Sequence, residues 1–469
     1  MIRRVLPVAA LMIISTVTVA QADVKFSRDI APILIANCIG CHGERSNAGS
    51  FRAHNYQSLM RAGRSGLPSI VPGQPEKSNM LKLLLSTSPT DRMPSNDDPL
   101  KPAQLAAITT WIKEGAKFDG SDPAANLKSL VGPRQFPAAP ATYRTTVPVL
   151  AIAFVPGSTD VALGGYNEVT IWNSTSGALK RRIDHLPQRI QALTFTRDGK
   201  SLLVTGGVPG EYGETSLVNM QSGERSVISD ALPDIALAAA FSPDEKTVAV
   251  GGADASVTLY EVATHKRIWS NKVHSDWVTS LSFSPDGHFL ASASKDMTIK
   301  IYEVANGSLF TTYSGHNRQI GKYRGAAPVW AVRFAPDEQI AYSAGGGKWI
   351  QVWDPVKARD ETGDAGDMEE RFAKQGHARY YETGFEHEVF ALAISGPFLF
   401  ASSADGLVKQ FELKTGTEIR KYPGHQDWVF GLATDAASGR MASGSYDGEV
   451  RIWDTKTGQL VVKFIAKPA

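Results

Sequence analysis

The chain has 469 residues, enough for two or three domains with substantial cores. Hydrophobic residues make up 42% and charged residues 20%, the balance of an ordinary soluble globular protein. A net charge of only +2 points away from a nucleic-acid binder and from a protein held electrostatically on an anionic membrane.

Residues 1–22 read as a secretory signal peptide. Arg3 and Arg4 form the positive end, an apolar stretch runs from Val5 to Val19, and Ala20-Gln21-Ala22 supplies a small-x-small cleavage site. The stretch is short for a membrane span, so cleavage after about Ala22 is expected rather than retention as an anchor. No cysteine follows the site to carry a lipid. A periplasmic or otherwise exported protein, with no stable membrane anchor, is the expectation.

Cys38, Ile39, Gly40, Cys41 and His42 come next, and they contain the only two cysteines of the chain. Cys-x-x-Cys-His is the attachment pattern of a c-type haem: two sulfurs add across the vinyl groups and the adjacent imidazole ligates the iron. A zinc site would need a second ligand pair, and no other cysteine exists to supply it. A dithiol redox pair would sit on a thioredoxin-like strand–helix unit, which the surrounding pattern does not suggest. Export agrees with haem, because c-type haem is attached outside the bacterial cytoplasm.

Residues 23–118 form a small helical domain in this reading. Ser27 is placed to cap a helix carrying Ile30, Ile33, Leu34 and Cys38 on one face, with Pro32 in its first turns. Pro75 opens a short helix with Leu81, Leu84 and Leu85 inward. Lys101-Pro102 opens the last helix, whose inner face is Leu105, Ile108 and Ile112, with Trp111 beside it and Gly115 at its end. Candidates for a second, distal iron ligand are His54, Met60, Met80 and Met93. Met60 and Met80 stand at core-like positions. Met93 stands in a polar, proline-rich loop, where a thioether has no packing role, and it is the preferred ligand.

The stretches FSRDIAPILIANCIGCHG, SIVPGQPEKSNMLKLL and RMPSNDDPLKPAQLAAITTWIKEGAKF resemble the small c-type cytochrome domain first recognised in planctomycete proteins. The resemblance covers residues 24–118. It implies one covalent haem c on Cys38 and Cys41, with His42 proximal and Met93 distal to the iron. Members of that family carry varied additional modules, so the domain by itself leaves the reaction open.

Residues 119–147 contain Pro123, Pro133, Pro137 and Pro140 among Ala, Ser and Gly, and read as a semi-stiff linker. From about residue 148 to the end the chain repeats. The residues ending successive third strands are Trp172, Val218, Tyr260, Tyr302, Trp353, Phe411 and Trp453. They are 46, 42, 42, 51, 58 and 42 residues apart, and a period near 42 with alternating polarity is the mark of propeller blades. Residues 148–469 therefore resemble a seven-bladed WD-repeat propeller, and the fold class is multidomain: a small all-α cytochrome domain followed by an all-β propeller.

Asp254, Asp296, Asp405 and Asp447 each fall six residues before the aromatic position, where a tight turn is needed. His274 and His425 are placed to bridge such an Asp and a strand hydroxyl or Trp, a structural role. Val218-Asn219 lacks a turn Asp, which makes the second unit the weakest blade. The last unit supplies its own fourth strand near Leu460 to Phe464, though a strand at Thr142 to Val147 is a candidate to join that edge.

Three insertions break the period: 317–327, 355–370 and 374–387. The second is acidic and reads as a solvated loop. The first and third are read as loops before the first strands of units 5 and 6. Side by side, they would gather Arg318, Lys322, Tyr323, Arg324, Lys374, Arg379, Tyr380 and Tyr381 into a partner-docking patch of cations and aromatics.

No phosphate-binding loop, nucleophile elbow or paired metal-binding histidines occur, so whether the chain is an enzyme stays open, with an electron-transfer protein favoured. The leading reading is a periplasmic monohaem cytochrome passing single electrons, its propeller a scaffold that docks a redox protein partner. One alternative is an oxidoreductase whose propeller binds a substrate or second cofactor. Another is a haem-based redox or gas sensor.

Overall fold

The computed structural model describes residues 24–39, 41–43, 48–88, 90–95, 99–131, 134–316, 319–320, 323–324, 327–356 and 377–468. For residues 128–129, 231, 319–320, 323–324 and 377–379 it describes the backbone alone. Residues 1–22, expected to be a signal peptide, lie outside the described residues. The chain divides into two units, Met1–Pro133 and Arg134–Ala469.

The first unit is helical. A turn at Phe26–Ile30 runs into α1 (Ala31–Asn37), followed by α2 (Tyr56–Leu59), α3 (Asn79–Leu84), α4 (Pro102–Lys113) and α5 (Leu127–Leu130). Their apolar positions recur at helical spacing and meet in one core, where Ile30, Leu34, Leu59 and Ile108 are fully buried. Phe26, Tyr56, Trp111 and Phe118 cluster there, with ring centroids 4.8–6.4 Å apart. The buried polar ends are satisfied: Tyr56 Oη donates to Ala116 O (2.8 Å) and Trp111 Nε1 to Lys117 O (2.9 Å).

Two expectations are corrected in this unit. Ser27 does not cap the first helix; its amide and hydroxyl both bond the Asp119 carboxylate at 2.8 Å. Leu85 follows the last turn of α3 and is 56% exposed, because Leu81 and Leu84 alone occupy the face turned to the core.

The second unit is a closed ring of seven four-stranded antiparallel sheets. The blades span 152–183, 189–232, 236–271, 278–313, 329–382, 389–422 and 429–465. Each blade packs on both faces, so its middle strands are buried throughout, while outer strands such as Leu179–Ile183 face solvent. The second blade is complete, and long strands replace the missing turn Asp: Ser201–Val208 pairs continuously with Tyr212–Asn219.

The ring closes without exchanging strands. Blades 1 and 7 each take all four strands from their own repeat, and residues 142–147 join no ladder. The seam is a side-chain interface of Val149, Ile152, Leu163 and Trp172 against Ala442, Val450 and Ile452. Arg440 Nη1 reaches Ser174 Oγ across it at 2.6 Å.

The expected linker is largely absorbed by the two units. Residues 119–131 pack on the helical unit through Asp119, the Asn55–Asn126 bridge and buried Leu127. Residues 134–147 lie along blades 1 and 2. Phe136 stacks on Tyr212 at 5.8 Å, and the Arg134 guanidinium covers the same ring at 4.1 Å. Tyr143 hydrogen-bonds Glu168, a fully buried carboxylate that Arg182 Nε also meets at 2.6 Å. Arg182 in turn donates to the carbonyls of Pro140 and Ala141. Phe136 and Tyr143, the aromatics within the Pro/Ala-rich composition, are what convert a spacer into a strap.

The third insertion is also corrected. His377–Glu382 is not a loop before blade 6 but the outer strand of blade 5, paired with Trp349–Trp353. The long excursion therefore lies between the third and fourth strands of blade 5, and residues 357–376 are outside the described residues.

Candidate functional site

The Cys-x-x-Cys-His segment continues α1 by one further turn. The Cys38 amide donates to Leu34 O (2.9 Å), and Cys38 O accepts from the amides of Cys41 (3.3 Å) and His42 (2.9 Å). These bonds fold the segment into a tight turn that brings Cys41 and His42 back beside Cys38, with the Cys38 side chain turned inward and Cys41 exposed. Gly43 closes the turn. A Cβ on Gly43 would lie 2.5 Å from Ile39 O, so only glycine lets the chain pass there. The segment returns to the core where the Ala53 amide donates to His42 O at 2.7 Å.

Neither cysteine is in a disulfide. Burial, with the neighbouring Cys41 adding to it, pushes the Cys38 thiol up to about 12. A redox-active dithiol needs the opposite shift, toward a stable thiolate, so this environment disfavours dithiol exchange. The His42 ring packs edge-on against Phe51, centroids 5.2 Å apart. Its Nδ1 is buried and makes no hydrogen bond. A buried imidazole nitrogen without a partner is uncommon and demands a reason; a ring held for a metal ligand is one, and the donor set of two thiols and an imidazole fits a c-type haem.

Of the distal candidates, Met60, Met80 and Met93 all pack partly buried against the helical core. The Met93 amide is fixed to Leu83 O at 3.0 Å. His54 Nε2 lies 3.1 Å from Asn55 Nδ2, and its Nδ1 is buried without a partner.

The blade histidines are structural. His274 joins Asp296 and Ser292 at 2.7 Å each. His425 meets Ser443 Oγ at 2.8 Å, and Trp453 Nε1 donates to the same hydroxyl at 3.2 Å. Its other nitrogen faces Glu449 at 3.4 Å rather than Asp447. Desolvation, with Arg451 nearby, holds His425 down at about 4, so this contact is not an ion pair at neutral pH. Asp254, Asp405 and Asp447 each cap a nearby amide, at 3.2, 2.7 and 2.9 Å respectively. His316 plays the same part in blade 5, through Ser343 (2.8 Å) and Trp353, and sequence reasoning missed it. The Gly315-His316 pair was the available signal, displaced from its Trp by the insertion after it.

The expected docking patch lies largely outside the described residues. Arg318, Lys322 and Lys374, with the side chains of Tyr323, Arg324 and Arg379, lie outside the described residues. Tyr380 is 44% exposed, but Tyr381 is only 3% exposed. The Tyr381 hydroxyl bonds Leu413 O between blades 5 and 6, so it is a packing residue.

Comparison with known proteins places a family on each unit. Residues 38–97 match the Planctomycete cytochrome C model. Residues 265–303, 307–354 and 416–454 match the WD domain, G-beta repeat. This chain joins a planctomycete-type cytochrome domain to a WD-repeat propeller. The cytochrome match begins at Cys38, the first residue of the haem-attachment pattern, and a cytochrome domain of this kind implies haem c.

Curated relatives share only short segments with the chain. THO complex subunit 6 of Drosophila melanogaster is 43% identical over 61 residues, 13% of this chain and 17% of that protein. Eukaryotic translation initiation factor 3 subunit I of Neurospora crassa is 35% identical over 66 residues, 14% and 19% of the two chains. Coronin-7 of Rattus norvegicus is 31% identical over 81 residues, 17% of this chain and 9% of that protein. The chain thus spans less than a fifth of each of these relatives. Among the described residues no helix is long and apolar enough to cross a membrane.

Proposed function

We propose that the protein is an exported monohaem cytochrome that passes single electrons, with its propeller as the scaffold that holds a redox protein partner. The observation that carries this reading is the turn at Cys38–His42. One turn gathers two thiols outside any disulfide and an imidazole with an unpartnered buried nitrogen, inside the stretch that matches a cytochrome domain.

Cys38 and Cys41 would hold haem c covalently, and His42 and Met93 would supply the protein ligands to its iron. Haem c supplies a one-electron couple. Phe51 fixes the His42 ring, and the Leu83 carbonyl fixes the backbone of Met93. The helical core against which Cys38 and Met93 pack keeps water from that side. Thioether ligation by a neutral sulfur favours the reduced state and suits electron transfer. Export follows from the secretory character of residues 1–22 and from where c-type haem is attached.

The test is the double variant Cys38→Ser/Cys41→Ser, expressed with the haem-attachment machinery. The wild-type chain should carry the mass and absorption of one covalent haem, and the variant should carry none while its propeller stays folded. Covalent haem on the double variant, or none on the wild type, would reject the assignment.

A further inference from the structure

The first strands of all seven blades surround one axial cavity of about 450 Å³, within the range of small-molecule sites. Its lining combines apolar and aromatic side chains, Trp277, Trp330, Phe390 and Phe430 among them, with polar surface of nearly equal extent. Arg333 is the one charged residue in that lining, which contains no Asp or Glu. The guanidinium is anchored through Nη1 alone, to Ser280 Oγ (2.9 Å) and Val332 O (2.7 Å). It forms no ion pair with any described carboxylate, and it is a half-buried member of the cavity lining.

An enclosed cation without a counter-charge is costly, and desolvation here lowers the Arg333 pKa accordingly. Glu388, whose Oε2 accepts from Trp330 Nε1 at 2.7 Å, is an acid that touches a lining residue, and it forms no ion pair with Arg333. Nε and Nη2 of Arg333 make no hydrogen bond to a described residue, which leaves the donor pair that can receive a carboxylate in two parallel bonds. Phe430 and Phe390 stack at 4.3 Å, and the aromatic surface continues outward through Trp428 to Tyr446, each half exposed. Lys295, 4.2 Å over the Trp277 ring, adds a second cation to the mouth.

We propose that the propeller channel is a binding site for a small organic monocarboxylate with a planar apolar body, its carboxylate on Arg333 and its body between the mouth aromatics. The site lies wholly in the propeller and stands whether or not the haem assignment does.

Titration calorimetry on the full-length protein, using phenylacetate and its uncharged amide as probes, tests it. Wild type should bind the acid at roughly millimolar or better and prefer it to the amide by about tenfold or more, as a charged hydrogen-bonding pair would give. Arg333→Gln should abolish that preference while leaving circular dichroism unchanged. Phe390→Leu should weaken both probes together. Equal binding of acid and amide by the wild type, or no saturable binding of either, overturns the site without reference to any variant. Tighter binding of phenyl phosphate than of phenylacetate would overturn its assignment to carboxylates.

Discussion

Trp172 in blade 1 stacks on Phe464 in blade 7, ring centroids 4.8 Å apart and planes 23° from parallel. This pair holds the ring seam where no peptide connection joins adjacent blades. Six of the seven blade interfaces are tethered by the chain that runs from one blade to the next, and this one is held by side chains and a few hydrogen bonds.

Trp172→Ala should therefore cost about 3–5 kcal/mol, the usual range for emptying a buried tryptophan site. A double-mutant cycle with Phe464→Ala should return a coupling of about 1 kcal/mol. Hydrogen exchange should show the strands of blades 1 and 7 losing protection before those of blades 3 and 4. Uniform protection loss in the variant would show that the seam is no weaker than the other interfaces.

Met93→Ala should retain covalent haem, lower the reduction potential by an amount on the order of 0.1 V, and admit carbon monoxide. Optical redox titration and a carbon monoxide difference spectrum read both effects. An unchanged potential would transfer the distal role to His54 or Met80.

The blade histidines give the propeller a pH dependence of definite sign. Burial holds His316 and His425 neutral, at about 4 against an ordinary value near 6.5. Below about pH 6.5 the unfolded chain takes up these protons and the folded ring does not, so stability falls as the pH drops toward 4. The slope is roughly 1.4 kcal/mol per pH unit for each histidine. The Asp296 carboxyl, which burial would raise but bonds from His274 and Thr298 hold below the usual carboxylate range, adds its own loss at still lower pH. Urea midpoints at pH 7, 6, 5 and 4 should decline in the wild type, and His316→Asn/His425→Asn should flatten the curve.

Arg182→Ala should strand the fully buried Glu168 carboxylate, at a cost of about 3 kcal/mol. It should also free the strap at Pro140–Ala141, whose carbonyls Arg182 holds. Limited proteolysis would then cut between residues 134 and 143 in the variant and not in the wild type. Resistance in both would mean that the Phe136–Tyr212 stack suffices to hold the strap.

What could be read from the sequence was whatever local spacing encodes. The Cys38–His42 pattern, the α4 face and the seven third-strand positions are set by neighbours within one period, and the structure has the helix and the blades where those patterns fall. Contacts that join distant residues were not legible. Ser27 looks like a helix cap because nothing nearby announces Asp119, 92 residues away. Tyr381 looks like a surface aromatic because the insertion after Trp353 hides that the fourth strand of blade 5 is still to come. Arg333 is an unremarkable strand residue until seven strands from seven repeats enclose it.

Because every blade is made from its own repeat, no β-ladder depends on where the ring is opened. Joining the two sides of the seam with a short loop and cutting between any other pair of blades would preserve every strand pairing in the propeller. A circularly permuted ring should thus fold, and the cytochrome unit could be grafted at the new opening, which makes the point of attachment a variable that can be moved around the circle.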